Sequence, residues 1–275
     1  MEPEGVNRPS GANALAQRFT MQGRRALVTG ASLSIGRAIA LAFADAGAEL
    51  ALQYAGSADT GLQHADAASE LSRELQQRAV VHHLIEADFS QRGAASRTVA
   101  EAQRRMGGVD VLVVCASVQQ REAFTEIACE SMQRQIRINF EASVELLQAV
   151  VPGMRERGWG RILTIGSINQ TRPDPELAIY AALKSAQHNL ALNLARQLAP
   201  FGVTVNNLSP GLVATARNQW RRVDQKQWQS ITHDANPMHR AGTPEEMTGA
   251  ALLLCSDAGS FITGNDLQAT GGAQL

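Results

Sequence analysis

The sequence predicts an α/β fold in which a doubly wound parallel sheet carries helices on both faces. Three observations support that expectation: strand-like and helix-like segments alternate from Arg25 onward, the strands are near-continuously apolar, and no linker interrupts the series. Strands that are apolar on both faces need cover on both faces, and crossover helices supply it. One domain spanning residues 23–275 follows. Residues 1–22, rich in Gly, Pro, Asn and Ala, read as a flexible extension with a short helix near residues 12–19.

The elements follow in order. Residues 26–29 are a short β-rich run ending at Gly30; Ile35, Ile39, Ala42, Phe43 and Ala46 then recur at helical spacing until Gly47. Residues 49–54 read as the second strand and 67–78 as the second helix. Residues 80–85 form the third strand, 94–106 the next helix, and 109–115 an apolar fourth strand. A long helix near 131–151, a strand at 161–166, a helix at 176–198 and a strand at 203–208 continue the alternation. Residues 212–240, polar and containing Trp220 and Trp228, are expected to form one or two helices as a mobile lid. A helix at 244–256 and a last strand near 267–269 complete the series.

Composition narrows the functional classes. The 275 residues are 44% hydrophobic and carry a formal charge of −1. That apolar share excludes a mostly disordered chain. The charge argues against a nucleic-acid partner and against a polybasic membrane-surface protein. No apolar run approaches the roughly 18 residues needed to span a bilayer, and the first residues lack the apolar core of a secretory signal. Three separated cysteines (Cys115, Cys129, Cys255) predict reduced thiols and a cytoplasmic location, and the histidines lack metal-ligand spacing, so no metal is expected.

Two motifs carry chemistry. The first strand runs into TGASLSIG (29–36) and then directly into a helix. Backbone N–H groups at a helix start, together with its dipole, suit a pyrophosphate. Gly30 allows the tight turn and Gly36 lets the helix pack close to the strand, the arrangement of a Rossmann-type dinucleotide site. At the end of the second strand a carboxylate would bind the adenosine ribose and repel a 2′-phosphate. Here the strand ends Gln53-Tyr54-Ala55-Gly56-Ser57, with no acid before Asp59, so NADP is favoured over NAD. Arg37 offers positive charge beside the turn, or simply lies on the helix surface.

The second motif, Tyr180-x-x-x-Lys184, sets a phenol and an amine on one helix face. The chain has only two tyrosines and two lysines, and chance would produce this spacing in about 1–2% of such chains. Hydride transfer to a carbonyl needs a proton donor at the developing alkoxide, and a phenol titrating near 10 is a poor shuttle at neutral pH. A cation one turn away favours the phenolate. Lysine suits that place, because arginine cannot readily pass on a proton. Ser167 ends an apolar strand, where parallel sheets meet their ligands.

TGxxxGxG is matched at Thr29, Gly30 and Gly36, with Ser34 replacing the central glycine; with Ser167, Tyr180 and Lys184 this pattern resembles the short-chain dehydrogenase/reductase family. VTVNNLSPG (203–211) and SFITGNDLQATGG (260–272) extend the likeness from Arg25 to about Gly272. The resemblance implies a catalytic set of Asn139, Ser167, Tyr180 and Lys184, in which the Asn139 amide holds a water linking Lys184 to solvent. It also implies cofactor contacts at Gly30, Ser32, Ser34, Ile35, Gly36, Tyr54, Ser57, Asp88, Ala116, Tyr180, Lys184, Pro210, Gly211, Val213 and Thr215. Transfer of the pro-S hydride, and a homotetramer built through the two long helices and the last strand, are further implications. One segment departs: where the family has NNAG, this chain has Val114-Cys115-Ala116-Ser117, so strand support must differ locally.

The expected function is NAD(P)-dependent interconversion of a secondary alcohol and a ketone on a small molecule. Gln119, Gln120, Arg121, Asn169, Gln170, Arg217 and Asn218 suit a sugar acid or polyol. The alternatives are a 3-oxoacyl thioester reductase and a non-catalytic cofactor-binding regulator, the latter expected to lack the Tyr, Lys or Ser. A nucleotide-sugar epimerase shares Tyr-x-x-x-Lys but carries a substantial C-terminal substrate domain, which this sequence does not show after Gly272.

Overall fold

The computed structural model describes residues 11–275; residues 1–10, part of the expected extension, lie outside the described residues. Among the described residues there are seven strands: β1 (Arg25–Thr29), β2 (Glu49–Tyr54), β3 (His82–Glu86), β4 (Val111–Val114), β5 (Gly160–Ile165), β6 (Val203–Pro210) and β7 (Asp266–Ala269). The helices are α1 (Gly11–Arg18), α2 (Ser34–Asp45), α3 (Gly56–Gly61), α4 (Ala67–Gln77), α5 (Ala94–Met106), α6 (Cys129–Ile136), α7 (Ala142–Arg157), α8 (Ala178–Leu198), α9 (Gln225–Ala235) and α10 (Thr248–Cys255). The sheet order is β3-β2-β1-β4-β5-β6-β7, with every neighbouring pair parallel. The expected doubly wound sheet is therefore the observed one.

Side-chain alternation explains the two layers. Ala26 and Val28 of β1 point to one face, where Ile39 and Phe43 of α2, Leu71 and Leu75 of α4 and Leu254 of α10 pack. Leu27 between them points to the other, against Val99 of α5, Leu146 of α7 and Ala195 of α8. Burial of such side chains stabilises by about 1.5–3 kcal/mol each. The winding direction reverses between β1 and β4, and the crevice beyond their C-terminal ends is where an open α/β sheet binds ligands.

Five differences from expectation appear. The long helix near 131–151 is two helices, α6 and α7, joined by a π-helical turn at Arg137–Glu141. Such bulges gather at functional sites, and this one carries Asn139. The third strand starts two residues later than expected, and the fourth is shorter at both ends. The short helix α3 has no apolar period and escapes sequence reading. Finally, packing begins before Gly23. Met21 is fully buried and its N–H donates to the Ala46 carbonyl at 2.8 Å, so the end of the expected extension belongs to the core.

Candidate active site

The turn after β1 is built by close approach. Gly30 has φ +62°, and a Cβ there would lie 2.9 Å from the Ala116 Cα. A Cβ on Gly36 would collide with the Gly30 carbonyl, which fixes how tightly α2 leaves the turn. Gln53 clamps three strand ends: its Oε1 accepts from the Gly30 N–H (2.9 Å) and its Nε2 donates to the Ala87 carbonyl (2.7 Å). Ser34 also sits at positive φ (+52°), a conformation glycine adopts without a Cβ penalty. It has a compensating role, because its hydroxyl accepts from the Ala216 N–H at 3.1 Å and ties the turn to the lid segment.

Thr29, which opens the glycine motif, ties the strand ends together. Its hydroxyl donates to the Val113 carbonyl (3.2 Å) and accepts from the N–H groups of Cys115 (3.0 Å) and Ala116 (3.1 Å). One buried hydroxyl thus joins β1 to the end of β4. Nothing in the sequence singled it out for that task.

Asn139, Ser167, Tyr180 and Lys184 are all buried and lie on converging elements. Ser167 follows β5 in extended conformation, and its oxygen accepts from the Asn169 backbone N–H (3.1 Å) and side chain (3.2 Å). The Lys184 ammonium reaches back from α8 to the Ile165 carbonyl at 2.6 Å, two residues before Ser167. It lies 5.7 Å from the centroid of the Tyr180 ring. Burial pushes Lys184 below the usual lysine range, with nearby Tyr180 and Cys115 opposing and the Arg217 guanidinium adding to the shift.

The Asn139 amide also has a structural task. Its Nδ2 donates to the Val118 carbonyl and its Oδ1 accepts from the Val118 N–H, both at 2.8 Å. One bond at each end of the amide pins the loop after β4, and a second N–H and a second lone pair are left over. The Asn139 main-chain carbonyl accepts from the Ser143 hydroxyl at 2.9 Å.

Tyr54 ends β2 beside the Glu86 carboxylate; burial and that charge hold its phenol above the usual range. Ser57 is exposed, whereas Ser32 is buried and donates to Asp59 at 2.9 Å. Ile35 packs against the core. Asp88 accepts from the Ser90 N–H at 2.8 Å, an ordinary turn contact. Arg37 is paired with Glu74, so its positive charge is already matched.

On the lid side, the Gly211 N–H donates to the Ala269 carbonyl (3.0 Å) after Pro210 ends β6, and Val213 is buried. Thr215 caps the turn of helix at Ala216–Arg222, with Asn218 Oδ1 accepting from its N–H (3.0 Å) and Asn218 Nδ2 donating to the Val213 carbonyl (2.7 Å). Asn218 is therefore spent on capping. Asn169 and Gln170 are similarly committed to Ser167 and to Asp266, and Arg121 to Asp174 and Glu176. Arg217 differs. It donates to the Ser117 carbonyl (2.7 Å) and hydroxyl (3.0 Å), and no ion pair engages it among the described residues.

A family profile described as Enoyl-(Acyl carrier protein) reductase matches residues 30–274. The chain belongs to the short-chain dehydrogenase/reductase family. It is 33% identical over 254 residues to a gluconate 5-dehydrogenase of Gluconobacter oxydans (strain 621H), covering 92% of this chain and 96% of that one. A 3-oxoacyl (acyl-carrier-protein) reductase from Agrobacterium tumefaciens C58, solved with NADP bound, superposes with TM-score 0.89 at 37% identity, covering 96% and 99% of the two chains. A gluconate 5-dehydrogenase from Burkholderia cenocepacia J2315, solved with NADP and tartrate, gives TM-score 0.84 at 28% identity over 94% and 98%. The chain is accordingly an NAD(P)-dependent oxidoreductase acting on CH–OH groups.

The turn fits that cofactor. The residue before α2, Leu33, makes no side-chain cap, and no carboxylate occupies the first helical turn. The N–H groups at the start of α2 are thus left for an anion such as a diphosphate. Among the described residues, no group of His, Cys, Asp or Glu could hold a metal, and no helix is long and apolar enough to cross a membrane.

Proposed function

We propose that the chain interconverts a secondary alcohol and a ketone on a small polyhydroxy acid, with NADP(H) preferred over NAD(H). When bound, the nicotinamide supplies or takes up the hydride, on its pro-S face by family likeness. Tyr180 donates or accepts the proton at the substrate oxygen, and Ser167 holds that oxygen by a hydrogen bond. Lys184 lends positive charge that favours the phenolate and holds the ribose. Asn139, which pins the loop after β4, holds the water that links Lys184 to solvent. Gly30, Ser32, Ser34, Ile35 and Gly36 cradle the diphosphate, with Tyr54, Ser57 and Asp88 toward the adenosine and Ala116, Pro210, Gly211, Val213 and Thr215 toward the nicotinamide. Residues 23–275 work as one domain, with 212–240 as its lid.

One observation carries this reading: Lys184, one of only two lysines, is buried against Tyr180 and bonded at 2.6 Å to the strand end that leads to Ser167. The preference for NADP rests on the absence of an acid in β2 after Glu49 and on the solved relatives that hold NADP.

Arg217 supports an acidic substrate. It reaches the loop that Asn139 pins and has no carboxylate partner among the described residues. A gluconate enzyme among the relatives was solved with tartrate, itself a hydroxy acid. The likeness to a 3-oxoacyl reductase favours a second reading, reduction of a 3-oxoacyl thioester. A spectrophotometric screen of sugar acids, polyols, ketones and an acetoacetyl thioester with each nicotinamide cofactor separates these. Sugar-acid turnover with NADP is expected, and Arg217→Ala should raise KM for the acid about tenfold while sparing a neutral polyol. Thioester-only activity, or activity with NAD alone, contradicts the proposal.

Three free cysteines suit a reducing cytoplasm. The open edge of β7 and the long helices α7 and α8 offer the surfaces for a homotetramer. Light scattering should therefore report four times the 29.4 kDa chain, and a monomer mass would contradict that assembly.

A further inference from the structure

A buried chain of hydrogen bonds leads away from Lys184. The ammonium donates to Gln187 Oε1 at 3.2 Å, Gln187 Nε2 donates to the Ser143 hydroxyl at 2.9 Å, and that hydroxyl donates to the Asn139 carbonyl at 2.9 Å. Lys184, Gln187, Ser143 and Asn139 are each at most 2% exposed. The chain bridges α8 and α7 to the π-helical turn.

Its direction is dictated from the far end. The Asn139 carbonyl can only accept, so the Ser143 proton is committed to it and the Ser143 oxygen is left to accept. That oxygen selects the amide nitrogen of Gln187, which turns the amide oxygen toward Lys184. A flipped amide would set two N–H groups against an ammonium and leave a buried donor unpaired, costly in a site this dry. Of the three ammonium protons, one goes to the Ile165 carbonyl and one to Gln187, leaving one for the site.

We propose that Gln187, oriented by Ser143, is a positioning residue that keeps the Lys184 ammonium charged and aimed for proton transfer at Tyr180. The inference rests on the reading of Tyr180 and Lys184 as the acid–base pair. An acceptor bonded to the charged amine favours that form over the neutral one. It counters the burial that pushes Lys184 down. The other ionisable groups acting on the amine are the Tyr180 phenol on α8, the Cys115 thiol after β4 and the Arg217 guanidinium from the lid.

The test is the pH profile of kcat under saturating cofactor and substrate, read on the alkaline limb where the amine loses its proton. Gln187→Leu removes the acceptor and should move that limb about one unit to lower pH, with kcat near neutrality falling about tenfold. Gln187→Glu is nearly isosteric and sets a carboxylate beside the ammonium, so it should move the limb to higher pH. Ser143→Ala frees the amide to turn and should shift the limb in the direction of the leucine variant, by less; Ser143→Thr keeps the hydroxyl and should restore it. If the leucine variant fails to fold, the glutamate and Ser143 variants decide. An alkaline limb unmoved in folded variants, with kcat merely scaled down at every pH, overturns the proposal. If Tyr180→Phe retained full activity, the acid–base reading beneath it would fall instead.

Discussion

Tyr180→Phe is expected to lower kcat by about a thousandfold, because positioned proton transfer typically contributes about 10²–10⁴-fold. The substitution removes one oxygen from a buried ring on α8 and leaves the Lys184 bonds to Ile165 and Gln187 in place. Affinity for the nicotinamide cofactor should therefore stay near that of the parent, since the turn before α2 and the Lys184 ammonium are untouched. Titration of cofactor binding by fluorescence, beside steady-state turnover, separates the two. Near-full activity in the variant would sink the assignment of Tyr180. Loss of cofactor affinity with unchanged kcat would show that the phenol serves binding alone.

Asp110→Asn should cost about 3 kcal/mol of stability, the scale for breaking a buried ion pair. Asp110 is buried just before β4. It accepts from the Arg25 Nε (2.8 Å), Nη2 (2.8 Å) and backbone N–H (3.1 Å), and Arg157 Nε from the end of α7 lies 3.1 Å away. It thereby joins β1, β4 and α7 at the end of the sheet opposite the crevice. Burial alone would raise its carboxyl, but the bonds and charge of Arg25, with Arg157, hold it below the usual carboxylate range. A carboxylate held low in the folded state adds stability above its unfolded pKa of about 3.9, and that stability is lost as pH falls through the folded value. Denaturant unfolding should thus show the parent well ahead of the variant at neutral pH, with the gap closing on acidification below about pH 4. A gap that is constant with pH would mean that Asp110 acts by shape alone.

The layers and the candidate chemistry were legible for separable reasons. The strands announce themselves because both faces are buried, so residues 26–29 and Val111–Val114 have few polar breaks. Tyr180 and Lys184 stood out because their residue types are scarce here. The π-helical turn did not show, because adding one residue to a long helix barely disturbs its apolar period. Its partner, the Val118 backbone, lies 21 residues upstream. The tie made by the Thr29 hydroxyl was equally hidden: its partners are 84 to 87 residues away and use only main-chain atoms. Polar residues in loops have local partners that the sequence does not reveal. Asn218, Asn169, Gln170 and Arg121 look like ligand contacts in sequence, yet each satisfies local backbone or carboxylate groups. Arg217, which has no ion pair among the described residues, keeps the expected potential.

The most direct test of the central claim follows the hydride itself. A ketone found active in the screen is reduced with nicotinamide cofactor carrying deuterium at the pro-S position, and the product is weighed by mass spectrometry. The account predicts an alcohol one mass unit heavier, formed by the parent enzyme and lost in Tyr180→Phe. An unlabelled alcohol, or label left on the oxidised cofactor, would contradict it.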